Sequence, residues 1–304
     1  MKKYDQGVLY VATGDQYIEE ATFSASILKK IMSEIPTCLI TDEAVAHPIF
    51  DQVITIGKPT DVKRFKIDAM SRSPFTKTIF LDTDCYVCKD ISELFDALKS
   101  YDIAATWGSS LANLHPDMPD YLYGYNTGVI AFRDDALCNK FFDDWLTIYE
   151  RYRTIPITES NKQILDGDQP AFHEAVLTSR AKILTLPNTY NFRDLKKGIL
   201  YQPVKILHLR PTYREEFEAI ENMINQTPGW PKIFVGWDMI VRYKRDDYVV
   251  AGNILNAVLG RSYYRIVILK GSIRHVWRVV IRKIGRSLVT QKVRSDRKKY
   301  HADK

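Results

Sequence analysis

Thr78-Ile79-Phe80-Leu81-Asp82-Thr83-Asp84 sets a short apolar strand directly against two carboxylates. A run of this kind suits a strand covered on both faces, as in a sheet with helices on either side. In an extended chain, residues two apart point to the same side, so Asp82 and Asp84 are expected to reach one bound ion or its waters. Oxygen ligands favour Mn²⁺ or Mg²⁺, hard ions that also coordinate phosphate oxygens. The bland alternative is a polar strand end, because D-x-D recurs by chance. The buried strand in front of the motif favours the functional reading.

Working outward, Val8 to Ala12 is another continuous apolar run, broken by Thr13-Gly14-Asp15. Ile18, Ala21, Ala25, Leu28 and Met32 then fall at steps of three and four, giving one apolar helical face, and Pro36 ends it. Cys38 to Ile40 reads as a second strand, which makes a β-α-β unit with a right-handed crossover. Further strands are expected at Val53 to Ile56, Thr78 to Leu81, Ile103 to Thr106, Val129 to Phe132 and Lys205 to Leu209. Helices are expected at Val62 to Met70, Ala136 to Tyr149 and Gln169 to Thr178. Alternation of this kind implies a doubly wound α/β domain, whose ligands sit at the carboxyl ends of the strands. The core domain is expected over 1–215, a helical extension over 216–260, and a basic tail over 261–304.

The chain has 304 residues, 45% hydrophobic and 26% charged, enough for one large α/β domain and unlike a membrane-spanning profile. Asp5 and the short apolar run ending at Ala12 do not make a signal-peptide core, so a cytoplasmic protein is expected. Four cysteines, Cys38, Cys85, Cys88 and Cys138, are too few for a disulfide framework. Cys85 and Cys88 have C-x-x-C spacing without a second pair, and they read as small core residues near a strand end. Net charge is +6, but residues 261–304 hold 14 Lys/Arg against 2 Asp/Glu, so the first 260 residues are net acidic.

At this point the chain resembles the nucleotide-diphosphate-sugar transferases of the glycosyltransferase A fold, most closely the retaining family 8 type, over roughly its first two-thirds. Four motifs stand in that family's order. Ala12-Thr13-Gly14-Asp15-Gln16-Tyr17 is similar to the loop that cradles base and ribose. Asp82-Thr83-Asp84 is similar to the metal motif, Tyr125-Asn126-Thr127-Gly128-Val129 to the segment beside the donor sugar, and Asp168-Gln169 to the pair near the reacting carbon. The resemblance implies a Rossmann-like mixed sheet flanked by helices. It also implies donor contacts from Ala12, Thr13, Gly14, Tyr17, Asn126, Thr127 and Gly128, and retention of configuration. Asp168 is then a base, a transient nucleophile or a hydrogen-bond partner of the sugar, and Gln169 a positioning group. His208 matches the third metal ligand. The glycine and lysine that follow that histidine in the family are missing here, and Arg210 is expected to supply the charge. Lys66 stands where the family places a basic donor contact, although a solvated helix face explains it equally well.

The expected activity is a metal-dependent transfer, with Mn²⁺ or Mg²⁺, of a hexose from a nucleotide-diphosphate donor to a glycan or lipid-linked acceptor. Uridine is the default base by resemblance alone. A phosphatase of the haloacid dehalogenase class also ends a strand in D-x-D, but it expects Thr or Val where Tyr86 stands. A catalytically idle sugar-nucleotide-binding or scaffold protein is the rival of a different class. In the tail, Ile273, Val276, Trp277, Val280, Ile281, Ile284 and Leu288 fall on one helical arc and Arg274, Arg278, Arg282 and Arg286 on the other. This basic amphipathic helical extension suits either the inner face of an anionic membrane or packing on its own domain, with nucleic acid the least favoured partner.

Overall fold

The computed structural model describes residues 4–43, 47–108, 124–156, 158, 167–193, 198–209, 214, 216–226, 232–236, 239–244, 247–251 and 266–270. The chain opens with β1 (Tyr4–Ala12), α1 (Gly14–Ile31), β2 (Thr37–Thr41), β3 (Gln52–Thr55), α2 (Val62–Met70) and β4 (Phe75–Leu81). After β5 (Cys85–Val87) and α3 (Glu93–Ala97) come β6 (Ile103–Trp107), β7 (Tyr125–Arg133), α4 (Ala136–Arg153), α5 (Gln169–Thr178) and β8 (Ile183–Leu186). A tight 3-10 turn at Asn188–Tyr190 leads to β9 (Phe192–Arg193), β10 (Gly198–Leu200) and β11 (Ile206–His208).

A seven-stranded sheet has the order β3-β2-β1-β4-β7-β6-β8. Its strands run parallel except β7, which is antiparallel to both β4 and β6. The reversal positions the site, because the first residues of β7 come to the same sheet edge as the last residues of β1 and β4. Successive residues of β1 face opposite layers. Leu9 joins a core with Phe80, Ile130 and the α4 and α5 residues Phe141, Trp145 and Phe172, while Val8 and Tyr10 join one with Ala21, Ala25 and Leu28 of α1. The expected apolar face of α1 is therefore the buried one, and the continuous apolar runs are strands covered on both sides.

Local signals account for the helix starts. Asp61 caps α2 by accepting from Lys63 N and Arg64 N at 2.9 and 3.1 Å. Asp135 caps α4 by accepting from Leu137 N and Cys138 N, both at 3.0 Å. Gly14, with φ of +74°, makes the sharp passage from β1 into α1, a conformation that favours glycine.

The chain forms two compact units, Met1–Asp194 with Val204–Glu221, and Leu195–Pro203 with Asn222–Lys304. The extension expected to be helical over 216–260 has, among its described residues, the helix α6 (Phe217–Gln226). Strands β12 (Lys232–Gly236), β13 (Met239–Lys244) and β14 (Asp247–Ala251) follow, and with β10 and β15 (Ile266–Lys270) they form a five-stranded sheet. Every pairing in it is antiparallel. The reason is compositional, since these segments are dense in Val, Ile, Tyr and Phe, which suit a pleated strand. The basic face expected over 273–288 lies outside the described residues. Among the described residues no helix is long and apolar enough to cross a membrane. The four cysteines are free thiols, three of them buried.

Candidate active site

β4 stops at Leu81, and the chain then turns. Cys85 N donates to Asp82 O at 3.0 Å, so Asp82 to Cys85 is a tight turn and not the extended segment expected from the sequence. The cause is the docking of β5, which leaves the main sheet and pairs with β11 in a separate three-stranded sheet, order β5-β11-β9. That pairing sets His208 opposite Cys85 and brings its ring to Asp84. Asp82 N donates to Gly128 O at 2.8 Å, tying the turn to the start of β7, and Leu209 N donates to Asp84 O at 3.0 Å.

The two carboxylates consequently meet different partners. Asp82 Oδ1 lies 2.8 Å from Lys66 Nζ, which also lies 3.2 Å from Asp168 Oδ2. Thr127 Oγ1 donates to the same Asp168 oxygen at 2.8 Å. Asp168 stands at the N-cap of α5, but its side chain makes no cap hydrogen bond and is diverted to Lys66 and Thr127. Its backbone carbonyl accepts from Trp145 Nε1 at 2.9 Å. Asp84 Oδ1 lies 3.1 Å from His208 Nε2. On the far side of that ring, Nδ1 lies 2.8 Å from Asn191 Oδ1, and Asn191 Nδ2 donates to Asn126 Oδ1 at 2.6 Å. Asn126 Oδ1 also accepts from Gly128 N at 3.0 Å. Gly128 is packed so closely that a Cβ there would come within 2.6 Å of the His208 ring.

Burial and these partners set the charges. Burial alone would raise the Asp168 carboxyl, but the Lys66 ammonium and the Thr127 hydroxyl outweigh it and hold Asp168 below the ordinary carboxylate value. Burial works against charge on Lys66 as well, and Asp168 and Asp82 overcome it, leaving the ammonium firmly protonated. Burial pushes Asp82 up, against the pull of Lys66 and His208 and with that of Asp84. Burial also opposes ionisation of Asp84, where the His208 ring prevails and lowers it. Burial raises the Cys85 thiol well above its usual value, and its Sγ donates to Gly128 O at 3.5 Å.

An open cleft of about 370 Å³ lies at the carboxyl ends of β1 and β4, lined by Ala12, Thr13, Tyr17, Glu20, Lys66, Asp82, Thr83, Asp84 and Asp168 among others. Tyr17 is 46% exposed at it. Gly14 lies beside the lining residues, its N–H donating to Asp42 Oδ1 at 3.0 Å. Asn126, Thr127 and Gly128 stand behind the carboxylates, and Gln169 opens α5 next to Asp168. Arg210 lies outside the described residues. Two participants escape sequence reading. Glu20, buried on α1, accepts from Thr83 Oγ1 at 3.1 Å, although a helical glutamate ordinarily signals a solvated face. Asn191 follows the turn Pro187-Asn188-Thr189-Tyr190, where an asparagine reads as turn chemistry.

No protein-family model and no curated sequence matches this chain. Solved structures to which it is similar are glycosyltransferases. Galactosyltransferase LgtC, in complex with donor and acceptor sugar analogs, is 13% identical with a TM-score of 0.49, over 73% of this chain and 97% of that one. Mouse xyloside xylosyltransferase 1 in its apo form is 15% identical with a TM-score of 0.43, over 76% and 97% of the two chains. GlyE from Streptococcus pneumoniae is 16% identical with a TM-score of 0.45, over 63% of this chain and 47% of that one.

Proposed function

We propose that this protein is a glycosyltransferase that moves a sugar, by default from a uridine-diphosphate donor, to a glycan or lipid-linked acceptor with retention, using Mn²⁺ or Mg²⁺. The observation that carries the reading is the meeting of Asp84 and His208 at 3.1 Å beside a cleft that also holds Asp82, Lys66 and Asp168. Two carboxylates and an imidazole form a donor set that suits Mn²⁺, with Asp84 and His208 facing each other and Asp82 on the same turn. Cys85 stands close to both Asp84 and His208, with its Sγ donating to Gly128 O at 3.5 Å. Asp82, Asp84 and His208 would hold a divalent cation, which would supply positive charge to the diphosphate leaving group.

The chain's own residues do the rest. Ala12, Thr13, Gly14 and Tyr17 bind the nucleoside at the end of β1, and the exposed Tyr17 ring offers a face for the base. Thr127 and Lys66 hold the Asp168 carboxylate in place and ionised. With Lys66 and Thr127 both engaging Asp168 Oδ2, Asp168 serves as fixed negative charge for the positive sugar carbon. Gln169 positions the donor from the first turn of α5, and Arg210 contributes charge to the diphosphate. The basic residues of 261–304 attach the protein to the inner face of an anionic membrane, where a lipid-linked acceptor is within reach.

The reading is tested by release of nucleoside diphosphate from candidate sugar nucleotides with Mn²⁺. Wild type is expected to release it, and Asp84→Ala to lose activity on the order of 10²–10³-fold. Donor binding without hydrolysis or transfer to any acceptor makes the protein a sugar-nucleotide-binding module instead. Deletion of residues 261–304 is expected to abolish co-sedimentation with phosphatidylserine vesicles while sparing donor binding; unchanged sedimentation removes the membrane role.

A further inference from the structure

The buried amides behind His208 have a fixed direction, and it starts from a group that can only donate. The Gly128 backbone N–H points at Asn126 Oδ1, 3.0 Å away, so the acceptor there is the amide oxygen of Asn126 and not its nitrogen. The same oxygen lies 2.6 Å from Asn191, which must therefore present its Nδ2. With Nδ2 so engaged, Asn191 turns Oδ1 to His208 Nδ1 at 2.8 Å. An amide oxygen only accepts, so Nδ1 carries the ring proton. In a neutral ring Nε2 is then bare, and it faces Asp84 Oδ1 at 3.1 Å. Two acceptors confront each other across that gap, a repulsive arrangement until a proton or a metal cation lies between them.

Asn126, Asn191 and His208 are 3%, 4% and 8% exposed, so water has little access with which to reverse the chain of bonds. Asn191 holds its place from both sides. It closes the turn at Asn188–Tyr190, its N–H donating to Asn188 O at 3.2 Å, and it immediately precedes β9, which lies parallel to the strand bearing His208.

We infer that Asn191 is a positioning residue of the metal centre: acting with Asn126 and the Gly128 N–H, it fixes His208 in the Nδ1–H tautomer and so presents Nε2 as a ligand beside Asp84. The inference rests on the metal-dependent reading above. It also changes the part played by Asn126, whose oxygen is saturated by two N–H donors and faces the relay. The segment expected beside the donor sugar is thereby joined to the metal ligand through side-chain bonds alone.

The test is titration of the metal-free, full-length protein with Mn²⁺ alone, with free metal followed by electron paramagnetic resonance. The proteins are wild type, Asp84→Ala, His208→Ala, Asn191→Leu, Asn191→Asp and the double variant Asn191→Leu/His208→Ala. Asn191→Leu is expected to weaken Mn²⁺ binding by roughly 10–100-fold, the usual cost of losing a partner behind a metal ligand. Asn191→Asp still accepts from Nδ1 but loses the N–H given to Asn126 Oδ1, so it is expected to bind Mn²⁺ more tightly than Asn191→Leu and more weakly than wild type. In the His208→Ala background, Asn191→Leu adds nothing, because it acts only through that ring. Wild-type affinity in Asn191→Leu, or additive losses in the double variant, overturns the inference and leaves the metal centre standing. Failure of wild type to bind Mn²⁺, or wild-type affinity in Asp84→Ala, removes the metal reading and the inference with it. Should Asn191→Leu fail to fold, nitrogen–proton correlation spectra of the His208 ring in metal-free wild type decide. A neutral ring protonated at Nε2 would refute the relay.

Discussion

Asp82 and Asp84 leave the same strand end, yet one enters a network of full charges and the other a network of amides. Asp82 shares the Lys66 ammonium with Asp168, three ionisable groups in contact. Asp84 faces an imidazole whose other nitrogen is held by two asparagines and a backbone N–H, all neutral. The charged half gains from Coulomb attraction in a poorly solvated place and fails badly when one member is lost. The neutral half contributes little charge but has a direction, which settles where a proton sits. On the proposed reading, binding a cation and holding a carboxylate ionised a few ångströms away are tasks built in different materials.

The contrast can be broken by mutation. The largest effect is expected from Lys66→Met, which leaves the buried Asp168 and the half-buried Asp82 without their cation; urea unfolding without added metal should show a loss of about 3 kcal/mol. A loss under about 1 kcal/mol, the scale of an exposed pair, would mean that the charged half is not a coupled unit. Gly128→Ala sharpens the other side. Its Cβ would lie 2.6 Å from His208 Cε1 and 2.9 Å from Asn126 Oδ1, so the relay must shift. A cost of about 1–3 kcal/mol is expected, together with weaker Mn²⁺ binding, and unchanged values of both would show that the packing behind the ring is slack.

The smallest effect concerns acid. Asp168 has a folded-state value below its unfolded one, so the unfolded chain takes up the proton first as pH falls. The stability it contributes is complete above about pH 4, the ordinary carboxyl range, and is lost as pH drops through the lower folded value. Thermal melts should therefore fall more steeply below about pH 4 in wild type than in Asp168→Asn. Equal slopes would place the acid sensitivity elsewhere.

Much of this was legible in the residues. The helices at Val62–Met70 and Gln169–Thr178 have the bounds that their periodicity and flanking residues suggest, and the uninterrupted apolar runs of β1 and β4 are central strands. Asp82 and Asp84 are placed by their strand end, whereas Lys66, Asp168 and His208 are expected only from the resemblance to sugar-nucleotide transferases. What was hidden depends on long-range pairing. β5 is only Cys85-Tyr86-Val87, too short to show a period, and its pairing with β11 turns Asp82–Asp84 away from the extended geometry that spacing suggests. Asn191 carries no local mark of its role, because that role exists only once β9 lies beside β11. The strands of the second unit were missed for another reason: a polar residue every few positions in Met239–Lys244 and its neighbours suits a helix face as well as a pleat.

The indole of Trp145 has no exposed surface, packs edge-on against Phe172 and holds the Asp168 carbonyl at 2.9 Å. Its emission colour answers to the polarity and hydrogen bonding of the ring, so the protein carries a native optical gauge wired to the carboxylate turn. Movement at the head of α5 would alter the share of the light that comes from this one of the five tryptophans.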